Sequence, residues 1–569
     1  MRRHLNMSIG PALLGLIACS PPTDHVAETA ADRVFLNGQV YTVDENRSWA
    51  EAIAIKEGKI VYVGDNAGAS RRIGDTTQVT DLRRQMMLPG FHDSHIHIMI
   101  GVMADQECSL LRLETPEDVA ERLKECTSLA GLGGDGWILG GGWGEWLWPD
   151  ANPQKGLLDL LFPDRPVYLE SSFGHAAWVN SKAMETVGLD AGTESPPAGV
   201  IERDAETGEP SGTLRDAAML LVKNKLPPMT LQQRTDRVRA GMALAHSVGI
   251  TAVIEPGLDG ELIRPIVALA DAGELDMRVR ASLSPINWQP GVFDESVFEF
   301  LDEREQWRRE NLDVDSVKIY MDGVIEYGTS PLLEPYADEH YGSGDFFYTQ
   351  DEVDRYMRRF DAMGLQVHVH AIGDAAIRRA LDGFGAMREA NGMSDNRHQI
   401  VHLQLIHEDD RPRFGELDIA AVFQPLWAYP DPAALELDVP MLGRERTWQM
   451  YPIASVQKAG GRIVGGSDYF VTDLNPLHAI EVAVTRQDPY TNDGPVLNED
   501  ERVDLRTMID AYTINGAYQM GLEHEQGSIE VGKRADLIVL DRNLFELSAS
   551  EINEAKVTMT VFDGRTVYE

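Results

Sequence analysis

Residues 349–374 read TQDEVDRYMRRFDAMGLQVHVHAIGD, and the change of period in the middle of this run decides the architecture. Thr349 and Glu352 form a capping box, in which the hydroxyl and the carboxylate satisfy amides that a helix start leaves without partners. Val353, Tyr356, Met357 and Phe360 then recur at helical spacing, and Gly364 stops the helix. From Leu365 the period drops to two. Gln366, His368 and His370 share one face of a strand, while Val367, Val369 and Ala371 share the other. An apolar face that packs under an outer helix, opposite a polar face that looks inward, describes one strand of a parallel barrel.

Working outward, the same strand-then-helix unit recurs along the middle of the chain. Candidate strands end near His97, Glu255, Ser284, Tyr320, His370, Leu403, Gln424 and Asp468. Eight such units close a (β/α)8 TIM-like barrel, which places the protein in the α/β class. Residues 101–225 break the rhythm and read as a large insertion after the first barrel strand, an inserted cap segment over the site. Both ends of the chain are β-rich. Asn37-Gly38 and Glu57-Gly58 signal hairpin turns between the apolar runs from Val34 to Val63, and Ala535 to Leu540 and Thr558 to Gly564 read alike. Neither end holds enough strand for a stable sheet of its own. Residues 32–87 and 526–569 are therefore expected to form one composite β-sandwich domain flanking a barrel of residues 88–525.

The 569 residues carry 51 basic and 91 acidic side chains, a formal charge of −40. A polyanion repels nucleic acid and anionic headgroups, which excludes DNA- and RNA-binding functions and leaves a small-molecule substrate. Three cysteines make neither a disulfide framework nor a four-thiolate zinc site. Arg2, Arg3 and His4 precede a short apolar run, so residues 1–18 read as a signal peptide. Leu16-Ile17-Ala18-Cys19-Ser20 resembles the bacterial lipobox, which implies a lipidated Cys19 and a tether over residues 19–31. Ser20 after the cysteine leans towards the outer membrane. The expectation is an exported bacterial lipoprotein of the cell envelope, held at the membrane by its lipid anchor alone. That compartment permits a disulfide between Cys108 and Cys126, and spacing by itself does not decide it.

Chemistry collects at the strand ends. In Leu88-Pro89-Gly90-Phe91-His92-Asp93-Ser94-His95-Ile96-His97, the two histidines lie two apart on one strand face and can meet a single metal ion. A His-x-His is weak evidence alone; its place just before a long insertion, where a barrel puts its active groups, gives it weight. Barrel sites open at the C-terminal ends of strands, which favours His370 over the deeper His368 as a ligand. Ile400-Val401-His402-Leu403 brings a histidine to another strand end, whereas His398 and His407 read as structural or exposed. Ile463-Val464-Gly465-Gly466-Ser467-Asp468 ends an apolar strand in a carboxylate. Trp143, in the Gly-rich run Gly140 to Trp148, is a candidate apolar wall for substrate, and Trp146 reads as cap packing.

In this order the motifs resemble the amidohydrolase superfamily, specifically the metal-dependent hydrolases that include N-substituted formamide deformylases (amidohydrolase family 3). Further markers are Gly174-His175 with Asn180-Ser181, Gly212-Thr213-Leu214, Val317-Lys318-Ile319 with Asp322-Gly323, His370 to Asp374, and Gly527 to Asp536. The resemblance runs from about Val34 to Glu569. It implies a divalent metal, zinc by preference, with two ions per chain bridged by a carboxylated Lys318. His95, His97 and Asp468 would hold one ion and His370 and His402 the other; a single ion is the alternative arrangement. It further implies metal-activated water attacking an amide-type carbonyl of an N-acyl or N-formyl small molecule, with Asp468 as proton shuttle. His175 is the candidate second catalytic group and substrate contact, and Asp322 a further substrate contact. A deaminase or cyclic amidase of the same superfamily is one alternative, and a non-catalytic ligand-binding surface lipoprotein another. A homo-oligomer is compatible with all three.

The chain departs from the family pattern at three places. Gly142-Trp143-Gly144 stands where Gly-Trp-Asp is common, Phe173-Gly174-His175 where Asp-Gly-His is, and Val401-His402 where Glu-His is. These changes leave the ligand set intact but make the pocket less polar. They put formyl specificity in doubt and favour a more apolar acyl group or N-substituent.

Overall fold

In a computed structural model of the chain, residues 30–98, 108–111, 113, 115–129, 136–197, 199–284 and 295–569 are described. The expected signal peptide, Cys19 and nearly all of the tether lie outside them. The capping box forms as read. Thr349 Oγ1 accepts from Glu352 N at 3.4 Å, and Glu352 Oε2 accepts from Thr349 N at 2.8 Å. The helix it starts, Gln350–Ala362, buries Val353, Tyr356, Met357 and Phe360.

Eight parallel strands form one sheet in sequence order. They are β1 Phe91–Asp93, β2 Ile250–Leu258, β3 Arg278–Leu283 and β4 Leu312–Tyr320. β5 Gln366–Ala371, β6 Gln399–His402, β7 Ala420–Phe423 and β8 Arg462–Gly465 follow. Backbone bonds close the ring: Ser94 N donates to Gly465 O at 3.0 Å, and Asp468 N donates to His95 O at 2.8 Å. Closure depends on Gly466, because a Cβ there would sit 2.9 Å from His95 N.

Register stacks the barrel interior in tiers. On β4 and β5, Ser316 pairs with Gln366, Lys318 with His368 and Tyr320 with His370. The lowest tier is hydrogen-bonded within the protein: Ser316 Oγ lies 3.0 Å from Gln366 Oε1 and 2.9 Å from Ser282 Oγ. Val401, Val422 and Val464 are in register on β6, β7 and β8 and form a buried apolar cluster. Lys318 and His368 thus sit above a satisfied polar layer and across from a dry wall, where an ammonium ion is poorly solvated.

Between β1 and β2 the chain builds a separate six-stranded sheet, from Cys108–Ser109 to Pro210–Asp216. A disulfide joins Cys108, on its edge strand, to Cys126 at the end of the helix Pro116–Cys126. The sheet meets the barrel through buried Glu145, which accepts from Ser172 Oγ at 2.7 Å and from Tyr327 OH at 2.9 Å.

The two ends of the chain join through antiparallel pairing of Met86–Pro89 with Leu537–Leu540. Sheets of four and six strands result, and Ile53, Ile55, Met87, Leu537, Val539 and Val561 share one core. Glu57-Gly58 is the two-residue hairpin expected, with φ of 50° and 72°, the positive pair that a right-twisted hairpin turn needs. Asn37-Gly38 is not a hairpin. Arg33–Leu36 lies in the four-stranded sheet and Gln39–Tyr41 in the six-stranded one, so this turn carries the chain from one sheet to the other. The local signal specified a left-handed turn, met by Asn37 at φ 57°. It could not specify which strands pair.

Candidate metal centre

Residues from β1, β5, β6 and β8 converge at the C-terminal mouth of the barrel. Donor atoms of His95, His402 and Asp468 all lie within 4.8 Å of one another. Asp468 Oδ1 is 3.2 Å from both His95 Nε2 and His97 Nε2, and its Oδ2 is 3.8 Å from His402 Nδ1. Two of these residues leave their strands in the left-handed region, His402 with φ 78° and Asp468 with φ 53°. That conformation costs an L-residue about 1–2 kcal/mol, and here it turns both side chains toward one point.

The first and eighth strands are clamped by Asp93, which is fully buried. Its Oδ1 accepts from His95 N at 3.1 Å and from Ser467 N at 3.0 Å. Burial pushes the Asp93 carboxyl up to about 7. His92, on the same strand, is also buried, held by Gly90 O at 3.2 Å, and has a structural role.

Electrostatics favour cation binding. Burial and the neighbouring Lys318 hold His95, His368 and His370 far below the ordinary histidine range; burial and His370 do the same to His402. All four are therefore neutral near pH 7, the form of imidazole that offers a lone pair. Burial alone would raise Asp468, but His97, His402 and Lys318 outweigh it and hold the carboxyl at about 2. Burial brings the Lys318 amine down to about 7.

These residues fit a divalent ion. Asp468 Oδ1 is buried and has no hydrogen-bond partner, although two imidazole nitrogens lie 3.2 Å away. Ligands about 2.1 Å from a tetrahedral ion are separated by roughly 3.4 Å, so the spacing suits donors aimed at a shared centre.

The two histidines of β5 divide differently from the simple depth argument. His368 Nε2 lies 2.8 Å from His95 Nδ1, so the deeper histidine orients a member of the cluster. His370 Nε2 faces Gly323 O at 3.1 Å. A carbonyl only accepts, so Nε2 carries the proton and Nδ1 the lone pair. The His370 ring is 4.4 Å from that of His402, which Trp427 stacks on at 5.6 Å. His398 is buried away from the cluster, between Val367 N and Asp361, and His407 is half-exposed at a helix start.

His175 reaches the same cavity from the inserted sheet, 6.2 Å ring to ring from His370. Its Nδ1 is 2.8 Å from Asp216 Oδ1. Burial works to lower His175, but Asp216, Glu326 and Glu145 outweigh it and raise it. Sequence reading missed Asp216. Only the antiparallel pairing of Ala176 with Arg215 brings it beside His175.

Two candidates fall outside the cavity. Trp143 is fully buried, donates from Nε1 to Leu169 O at 3.0 Å and packs on Trp178, so it belongs to the core of the insertion. Phe173, Trp427 and Phe470 provide apolar wall instead. Asp322 is fully buried and accepts from Ser330 Oγ at 2.5 Å, Ile372 N at 3.0 Å and Gly373 N at 2.9 Å. It lies 3.4 Å from His370 Nε2, where it positions that ring rather than touching the cavity. Farther along, the same cavity of about 550 Å3 is bordered by Glu326, Asp431 and Asp438, which sequence reading did not single out.

The chain is similar to known proteins over most of its length. Residues 78–568 match the Amidohydrolase family. The chain is 30% identical over 563 residues to "Protein LONG AFTER FAR-RED 3" of Arabidopsis thaliana, covering 97% of this chain and 94% of that protein. It is 28% identical over 558 residues to N-substituted formamide deformylase of Arthrobacter pascens, covering 95% and 98%. An uncharacterized metal-dependent hydrolase from Pyrococcus furiosus superposes with a TM-score of 0.69 at 25% identity, covering 90% of this chain and 99% of that one.

Proposed function

Since the chain belongs to the amidohydrolase family, and is on that footing a metal-dependent hydrolase of carbon–nitrogen bonds, we propose that it cleaves the amide bond of N-acylated small molecules. The observation that carries the reading is the convergence of His95, His402 and Asp468 beside a buried Lys318, at the floor of a cavity that His175 enters from above. In this reading His95, His97, His370, His402, Asp468 and a carboxylated Lys318 hold two zinc ions. A bound divalent metal supplies Lewis acidity, which makes water a nucleophile at neutral pH and polarises a carbonyl.

The chain's own residues do the rest. Asp468 is ionised at neutral pH, and its Oδ2 is the acceptor for the proton of the attacking water. Amide nitrogen leaves poorly until protonated, and Asp468 delivers that proton. His175, which Asp216 raises against the effect of burial, is the donor to the substrate carbonyl oxygen as negative charge develops there. Trp427 and Phe470 exclude water around the reacting group. Lys318 enters the proposed carbamate through its neutral amine, which a pKa of about 7 makes abundant.

We place the protein in the cell envelope as a lipoprotein anchored at Cys19; the Cys108–Cys126 disulfide supports an oxidising compartment. Among the described residues no helix is long and apolar enough to cross a membrane.

The test is product analysis with a panel of N-acyl and N-formyl amines, using the metal-replete enzyme and Asp468→Asn. Free amine and acid in equal amounts, lost by about 100-fold or more in the variant, are expected. Ammonia without free amine would move the assignment to a deaminase, and a ring-opened acid to a cyclic amidase.

A further inference from the structure

The cavity has a second polar end, and it is acidic. Glu326 follows β4 in a short turn, while Asp431 precedes the segment Ala434–Asp438 and Asp438 ends it; all three border the cavity that holds the metal centre. Asp438 is only 2% exposed. Its Oδ2 accepts from Gln404 Nε2 at 3.2 Å, but its Oδ1 is buried with no hydrogen-bond partner. Glu326 lies against both Asp438 and Gln404, and the two carboxyl groups can bond to each other only through a shared proton. The strongest charges acting on Asp438 are Glu326 and Asp431, and those acting on Asp431 are Glu326 and Asp488.

Among the described residues no lysine or arginine is ion-paired to any of the three. Two basic groups elsewhere on the cavity wall are paired with acids of their own. Lys223 pairs with Glu170 at 2.8 Å, and Arg234 with Glu261 at 3.8 Å. A buried carboxylate oxygen without a donor is costly unless something bound there satisfies it. The three carboxylates do not gather as the metal-centre donors do: only His95, His402 and Asp468 meet within 4.8 Å among the described residues. A wider spread suits an organic cation, which presents several N–H donors in different directions, better than a bare metal ion. The protein's charge of −40 draws cations towards it in any case.

We propose that this acidic end is a subsite for a cationic group of the substrate, an ammonium or guanidinium, so that the preferred substrates are amides whose far end carries a protonated nitrogen. For the reaction this rests on the amide-hydrolase reading; for binding it does not. Burial raises Asp431 and Asp438, and a bound cation reverses that by replacing the lost water.

The experiment compares kcat/KM for N-acetyl-1,5-diaminopentane with that for N-acetylhexylamine, which puts a methyl in place of the ammonium, in the wild type, Asp438→Asn and Glu326→Gln. A preference of at least about tenfold for the cationic amide is expected in the wild type, collapsing in whichever variants keep the wild-type circular dichroism and metal content. Equal rates, a preference for the neutral amide, or an undiminished preference in the folded variants would overturn the proposal. Calorimetry with free 1,5-diaminopentane and 1,5-pentanediol separates the two readings. If neither amide is cleaved but the diamine binds the wild type at least about tenfold tighter than a folded variant, with the diol binding neither, the subsite stands and the amide reading falls. If the diamine binds no better than the diol, the subsite falls whatever the amides do.

Discussion

Replacing Lys318 by methionine should make the metal-free protein more stable while abolishing its activity. The amine lies in a barrel interior at 3% exposure, and burial brings it from 10.5 to about 7. In the unfolded chain the lysine binds a proton below 10.5; in the folded chain it does so only below about 7. Between those values the unfolded state holds more protons, so stability rises with pH across that window. The penalty is complete below about 7 and vanishes above 10.5. Its full size is roughly 3–5 kcal/mol, from about 1.4 kcal/mol for each tenfold change in proton affinity. Methionine fills nearly the same volume without the charge. Urea unfolding of chelator-treated protein in CO2-free buffer should therefore show Lys318→Met to be more stable by roughly 3–5 kcal/mol at pH 7, a gain shrinking by about 2–3 kcal/mol at pH 9. A gain that stayed constant with pH would mean that packing, not charge, separates the proteins. No gain at pH 7 would refute the low-dielectric account of Lys318, and with it the abundance of neutral amine that the proposed carbamate uses. Metal content bears on the same residue: about two equivalents falling to one or fewer in Lys318→Ala supports the bridged pair.

Other perturbations follow from individual contacts. Gly466→Ala adds a methyl 2.9 Å from His95 N and 3.0 Å from its Cβ, wedging β8 from β1. It should cost about 1–3 kcal/mol in denaturant midpoint and lower metal occupancy, although it alters no ligand; occupancy equal to wild type would contradict this. Asp322→Ala strands the amides of Ile372 and Gly373, at about 1–3 kcal/mol each, and frees the His370 ring, so denaturation should show the loss together with weaker metal retention. Asp216→Asn removes the charge that raises His175; if His175 donates as a cation, the alkaline limb of kcat should move to lower pH, and an unmoved limb would assign the donation elsewhere.

The barrel was legible because each of its units writes its own local chemistry. The Thr349 capping box, the stop at Gly364 and the two faces of Gln366 to Ala371 need no distant residue, and repetition of that unit specifies closure. His95, His97, His402 and Asp468 were legible for a related reason: each ends or closely follows a barrel strand, and barrel topology sends every strand end to one mouth. Partnership across the chain was not legible. Asn37-Gly38 announced a left-handed turn, but the strands on either side of it belong to different sheets. Trp143 looked available in a Gly-rich run, yet Trp178 and Leu169 enclose it. Asp216 beside His175, and Glu326 beside Asp438, are set by strand pairing and loop packing over 41 and roughly a hundred residues of chain. Sequence by itself determined which residue types stand at which strand ends, because dihedral preference and side-chain alternation act between neighbours along the chain. Only the tertiary structure decided their protonation, their partners and the acidic far end of the cavity. Burial and Coulomb interaction depend on distance through space, which the order of residues does not contain.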